Sequence, residues 1–355
     1  MVKVLVVDDS AFMRNILTNM LSSDPGITIV GSAKDGLEAI EKVALLKPDI
    51  VTMDVEMPRM DGITALKHIM EKTPVPVIMV SSLTDEGAKV TLDALDLGAV
   101  DFIPKNLSDL SVNIVMIKET LIDKIKLLAK KGVPRRAPKS PEKIAAEIRA
   151  RETSHVVIPQ RMTGERKTAI VAIGTSTGGP KALQDVITQL PQEFPLPIVI
   201  AQHMPPNFTG PFAERLNQCS KIEVKEANEG DVLKPGLALL APGRGHMRVM
   251  RKRDMNVVVT ISENREEYIY RPSVDALMLS VAECFPGRSL GVILTGMGND
   301  GLKGLTALKK TGGRIFAQNE QTCVVYGMPK AVVDAGIADK VLPLEDMAGE
   351  IINAV

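Results

Sequence analysis

Polar residues that could do chemistry stand at the ends of short Val/Ile-rich runs near the start of the chain. Asp8 and Asp9 follow VKVLVV, Asp54 follows IVTM, Ser81 follows VIMV, and Lys105 lies just past DFIP. If these runs are parallel strands, their carboxyl ends share one sheet edge, which is where ligands and reactions collect in open α/β folds. Three carboxylates at one edge repel each other unless a cation joins them. An all-oxygen set suits Mg²⁺, held by Asp8, Asp9 and Asp54. Asp54 can then attack a phosphoryl group while the cation and Lys105 neutralise the equatorial oxygens. A lone Asp at a strand end usually caps a turn; the reading rests on four strand ends carrying matching groups.

A second constellation lies further on. The strand-like TAIVAIG runs into G-T-S-T-G, Gly174 to Gly178, followed by Gly179, Pro180 and a helical pattern. A serine in such a turn is presented on a tight bend near a positive helix end, which suits Ser176 as a nucleophile, and Pro180 suits the first helical position. The same turn could cradle a phosphate. A dinucleotide site, however, needs an acidic residue at the end of the next strand, and PIVIA ends in Gln202 and His203. If consecutive strands pair, His203 stands beside Ser176 as a general base, with His246 as its rival. Asp300, after SLGVILTGMGN, is expected both to cap the following helix and to orient the imidazole. Backbone N–H groups around Met297 and Gly298 are candidate oxyanion donors.

The elements that must position these groups come in two alternating βα series. We read strands near 2–7, 27–31, 49–53, 75–80 and 99–103, with helical spacing between them, as a flavodoxin-like five-stranded parallel sheet. From Thr168 a second βα pattern predicts a doubly wound, mostly parallel α/β domain. Between them KKGVPRRAPKSPEK is rich in Pro and cations and reads as a linker, with one short helix expected from Ser140 to about Arg151. The expected boundaries are 1–128, 129–167 and 168–355.

Composition narrows the classes. Of 355 residues, 45% are apolar and 24% charged, close to a soluble globular chain, while only 3% are aromatic with no Trp, so the cores must be built mostly from Val, Ile, Leu, Met and Ala. Net charge is zero, but residues 130–167 carry 11 basic and 4 acidic side chains. That segment has no aromatic residue for base stacking, so we expect no nucleic-acid partner. No apolar run reaches the roughly 18 residues of a membrane span, and the opening run is too short for a signal peptide, so direct membrane insertion is not expected. Cys219, Cys284 and Cys323 have no metal or redox spacing, consistent with a reducing cytoplasm.

Through VVDDS, MDVEMPRMDG, VSS and DFIPK the first 125 or so residues resemble the response-regulator receiver family. The resemblance implies Asp54 as phosphoacceptor, Asp8 and Asp9 as metal ligands, Ser81 as a phosphoryl contact and Phe102 at the aromatic switch position. Asn106 stands after Lys105, where that family usually has Pro. Through IGTSTGGP, AQHMPPNFT, APGRGHM, RPSVDAL, LTGMGNDG and VVYGMP the last 185 or so resemble the catalytic domain of bacterial chemotaxis protein-glutamate methylesterases. That resemblance implies a Ser176, His203, Asp300 triad with the Met297 amide in the oxyanion hole and no cofactor for the ester reaction. It also implies methylated chemoreceptor cytoplasmic domains as substrate, glutamine deamidation as a second activity, and a chemotaxis histidine kinase as phosphodonor. The alternative is a receiver with a non-enzymatic anion- or DNA-binding output.

Overall fold

The structure is a computed structural model describing residues 1–82, 84–105, 110–132, 168–253, 255–264 and 268–355. Asn106, most of the basic connector and the helix expected from Ser140 lie outside the described residues.

The N-terminal body contains β1 (Val2–Val7), α1 (Ala11–Ser22), β2 (Ile27–Ala33), α2 (Gly36–Leu46), β3 (Ile50–Asp54), α3 (Gly62–Lys72), β4 (Val77–Ser81), α4 (Asp85–Asp96), β5 (Asp101–Pro104) and α5 (Leu110–Lys131). Its strands pair in parallel in the order β2-β1-β3-β4-β5. β3 and β4 are buried along their whole length, which is why their sequences are continuous Val, Ile and Met rather than alternating. Ser10, Asp35, Asp61 and Thr84 each cap a helix by accepting a backbone N–H from its first turn. β1 lies between β2 and β3, so the strand order reverses there and the ends of β1 and β3 flank a crevice. β4 begins two residues later than the sequence reading, at Val77, because Pro76 has no N–H for a strand ladder.

The C-terminal body contains β6 (Ile170–Thr175), α6 (Gly179–Ile187), β7 (Ile198–Gln202), α7 (Pro206–Cys219), β8 (Glu223–Glu226), β9 (Leu237–Leu240), β10 (His246–Arg251), β11 (Val257–Ser262), α8 (Val274–Cys284), β12 (Ser289–Ile293), α9 (Leu302–Lys310), β13 (Arg314–Gln318), α10 (Met328–Asp334), β14 (Lys340–Leu342) and α11 (Leu344–Asn353). Seven strands form a parallel sheet ordered β14-β13-β12-β6-β7-β9-β8. β10 and β11 form a separate antiparallel pair. The order reverses at β6, whose neighbours are β12 and β7, so the second crevice opens above those three strands.

The bodies meet where α4 lies along α7. The Phe102 ring stacks on Phe208 with centroids 4.5 Å apart, and the Arg215 guanidinium forks between Asp93 and Asp96. Beside this contact a cavity of about 850 Å³ separates Leu97 to Asp101 from Gly178, Pro180, Thr322 and Val324. Val325 nonetheless shares a buried cluster with receiver residues such as Val100 and Ile103, so the cavity lies between two places where the bodies touch.

Candidate active site

Parallel register sets the level of the first two residues. Thr175 pairs with Gln202 at the ends of β6 and β7, so the next residue on each strand, Ser176 and His203, leaves the sheet at the same height. The His203 amide donates to Thr175 O at 3.2 Å, and the Ser176 amide to Thr295 O at 3.0 Å, fixing the serine between both neighbouring strands. Gly296 packs on Ser176 closely enough that a Cβ there would come within 2.9 Å of the serine Cβ. Gly178, at φ +76°, turns the chain into α6, where Pro180 is the second residue.

His203 Nδ1 lies 3.1 Å from Ser176 Oγ, and its Nε2 lies 2.8 Å from Asp300 Oδ2. The ring nitrogens are used in the opposite sense to the chymotrypsin arrangement, where Nε2 faces the serine. Because a carboxylate can only accept, Nε2 carries the proton and Nδ1 is left as the acceptor for the serine hydroxyl.

Asp300 does not cap the helix after it; Gly301, at φ +97°, takes that position in α9. The Asp300 carboxylate turns instead to the start of α8. It accepts from Val274 N at 2.7 Å, Asp275 N at 3.0 Å, Gly301 N at 3.1 Å and Ser273 Oγ at 3.1 Å. Burial alone would raise its pKa, but the His203 contact and these N–H donors more than reverse that and hold it below the usual carboxylate range. An anion at a helix N-terminus also gains from the dipole.

Three contributors to this geometry were not identified from sequence. Gln202, 2% exposed, donates through Nε2 to both Ser176 O and His203 O at 2.9 Å, bracing the serine against the histidine. Its Oε1 would lie 2.0 Å from a Cβ on Gly179, which explains the third glycine of this stretch, just after the turn. Ser273 caps α8 while donating to Asp300. Tyr270 stacks on the imidazole. A polar residue at a buried strand end and a serine before VDAL were the available signals. His246 is fully buried, with Nδ1 accepting from Ser273 N at 3.1 Å, which puts it behind the aspartate. Met297 sits in the loop after Gly296, partly buried against a cluster that combines Val325 with receiver residues such as Val100 and Ile103.

At the first crevice, Asp8, Asp9 and Asp54 present oxygens within 4.8 Å of one another. Lys105 Nζ is 2.5 Å from Asp54 Oδ2 and 3.1 Å from Asp8 Oδ2. Apart from that ammonium, these two buried oxygens accept no hydrogen bond among the described residues. A hard divalent cation fits such a donor set. Burial, with Asp8 adding its charge, pushes Asp54 up to about 6 against the opposing effect of Lys105. Gly62 is required here, since a Cβ would fall 1.9 Å from Asp54 O. Ser81 is fully buried, its hydroxyl accepting from Thr91 Oγ1 at 2.6 Å. Asp101, at the start of β5, reaches the other site: its Oδ2 accepts from Thr177 Oγ1 at 3.0 Å and pairs with Lys124 at 2.6 Å.

Comparison with known proteins agrees in both halves. Residues 171–351 match the CheB methylesterase family and residues 4–114 the response regulator receiver domain. The chain is 52% identical to protein-glutamate methylesterase/protein-glutamine glutaminase 1 of Oleidesulfovibrio alaskensis and 50% identical to the enzyme numbered 2 from Nitratidesulfovibrio vulgaris, covering 100% of each chain in both cases. The crystal structure of the Thermotoga maritima CheB methylesterase catalytic domain superposes with a TM-score of 0.52 at 42% identity, over 54% of this chain and 100% of that one. The chain belongs to the CheB methylesterase family, with a response regulator receiver domain preceding the esterase domain.

Proposed function

We propose that this chain is a phosphorylation-activated hydrolase that removes methyl esters from glutamate side chains of chemoreceptors and deamidates receptor glutamines. The observation that carries the reading is the continuous line of hydroxyl, imidazole and carboxylate from Ser176 through His203 to Asp300. The names of the relatives speak for the same two activities, and for an esterase rather than a DNA- or anion-binding output. We divide the chain into a receiver at 1–128, a linker at 129–167 and a catalytic domain at 168–355.

In the reaction, Ser176 Oγ attacks the side-chain carbonyl as its proton passes to His203 Nδ1. Asp300 holds the imidazole through Nε2 and stabilises the cation that forms. Backbone N–H groups at Met297 and its neighbours receive the tetrahedral oxyanion, each such donor typically worth about 2.7 to 4 kcal/mol. The Nδ1 proton leaves with methanol or ammonia. Water then attacks the acyl-enzyme with His203 again as base, releasing glutamate.

Asp54 accepts the phosphoryl group, with a chemotaxis histidine kinase as donor. Asp8, Asp9 and Asp54 would hold Mg²⁺, which supplies charge neutralisation when bound. Ser81 and Lys105 contact the phosphoryl oxygens, and Phe102 responds to them. Support for the coupling is that Phe102 stacks on α7 and that Asp101 bonds to Thr177, the residue after the nucleophile. Rearrangement of β5 on phosphorylation would release both contacts; a differential of a few kcal/mol between two states is enough to shift their populations. Among the described residues no helix is long and apolar enough to cross a membrane, and we place the enzyme in the cytoplasm, acting on the cytoplasmic domains of receptors.

The test is methanol release from a methylated receptor cytoplasmic fragment, with and without a small phosphodonor. Wild type should release methanol faster with the donor, and Ser176→Ala should release none above background. An active Ser176→Ala variant would contradict the assignment.

A further inference from the structure

The geometry points to Tyr270 as a positioning residue for His203 that sets how well the site releases ammonia relative to methanol, an inference that rests on the hydrolase reading above. The Tyr270 ring lies parallel to the imidazole, with centroids 4.7 Å and planes 9° apart. Its hydroxyl end crosses to the loop after β12, where a Cβ on Gly298 would sit 3.2 Å from the phenol oxygen. The rest of the same short stretch is tied to the neighbours of the base. Arg271 O accepts from Met204 N at 3.4 Å, next to His203, and Ser273 Oγ donates to Asp300. Ile269, the residue before Tyr270, is 80% exposed, so this stretch lies at the protein surface. Tyr270 is thus the member of the strap that touches the one group required to move protons.

His203 has two tasks with different demands. As a base it needs only the Ser176 hydroxyl, already 3.1 Å from Nδ1. As an acid it carries a positive charge and must deliver the Nδ1 proton to a leaving group that lies elsewhere. An aromatic face stacked on the ring holds its plane and blocks one side against rotation, which keeps Nδ1 aimed while it turns from one partner to the other. The substrates use that proton differently. In the amide adduct the C–N bond breaks only as nitrogen takes the proton, and ammonia departs. In the ester adduct the C–O bond breaks with less assistance, and methanol departs with the same proton. In both cases water adds to the acyl carbon, Ser176 recovers its hydrogen and glutamate is formed. Loss of the aromatic face therefore weighs more on the amide.

The experiment uses full-length wild type, Tyr270→Ala, Tyr270→Leu and Tyr270→Phe with a small phosphodonor. The substrate is a receptor cytoplasmic fragment bearing either glutamine or glutamyl methyl ester at one position, followed by ammonia and methanol release. A fluorophosphonate, whose fluoride needs no proton from the imidazole, reports Ser176 activation separately. Tyr270→Ala should lower deamidation about 30- to 100-fold, ester hydrolysis about 3- to 10-fold and labelling no more than about 3-fold, with Tyr270→Phe keeping the wild-type ratio of the two activities. Tyr270→Leu fills the volume without a π face, and gives the same pattern if the alanine variant melts early. Equal losses in all three readouts, or an unchanged ratio, overturn the inference while leaving the hydrolase reading intact. A wild type inactive on both substrates overturns both.

Discussion

The two sheet edges bury carboxylates to a similar depth and leave them in opposite condition. Asp54 shares a single ammonium with Asp8, and burial pushes it up to about 6. Asp300 would also be raised by burial, yet its four donors and His203 hold it below the usual range. One edge is electrostatically unfinished, the condition expected of a site that takes up a cation and a phosphoryl group from outside. The other is complete and needs only access. That difference suits a sensor joined to an engine, and the Thr177–Asp101 hydrogen bond joins them one residue from the nucleophile.

The completeness of the second edge can be broken in steps. Asp300→Asn keeps the shape but can no longer hold the Nε2–H tautomer by charge; kcat should fall by about 10³- to 10⁴-fold in the methanol-release assay. Gln202→Leu removes two buried hydrogen bonds, at roughly 1 kcal/mol each, so kcat should drop about 10- to 100-fold with little change in KM. The link between the edges is sharpened by Asp101→Ala. Freed of its bond to Thr177, the unphosphorylated enzyme should be several-fold more active and less responsive to phosphodonor, consistent with couplings of about 1 to 3 kcal/mol. An unchanged basal rate would mean that this contact does not restrain the site.

The smallest effect is on acid stability. Because the folded pKa of Asp300 is depressed, the stability it contributes is complete above the ordinary carboxylate value and is lost as pH falls through the lower folded value. Denaturant unfolding of wild type and Asp300→Asn between pH 6 and the acid limit, roughly pH 3, should show a shallower acid-side decline in the variant. A steeper one would mean the carboxylate is not stabilised by its donors.

Much of this was legible in the sequence, and the exceptions have physical reasons. Strands buried on both faces, such as IVTMD, VIMVS and IVIAQ, are continuous apolar runs that end abruptly at a polar residue, so Asp54, Ser81, Ser176 and His203 could be placed at sheet edges. β8 and β14, reading EVKE and KVL, are short edge strands with polar or exposed residues and give no such signal. β10, reading HMRVMR, mixes buried and exposed positions without clean alternation, which hid the hairpin. Asp300 was recognised as a triad candidate, but its cap role was misjudged because the helix it serves, α8, begins at Val274 and not at the adjacent α9. Gln202 and Ser273 act across 26 and 27 residues of chain, contacts that no local pattern encodes.

The central claim is that the receiver governs access to a finished triad. Its most direct test is the rate at which a serine-directed phosphonate labels Ser176 in the full-length chain, wild type and Asp54→Asn, with and without a small phosphodonor. The account predicts that labelling maps to Ser176 and accelerates with the donor in wild type alone. Labelling at the same rate in all four conditions, or at a residue other than Ser176, would contradict it.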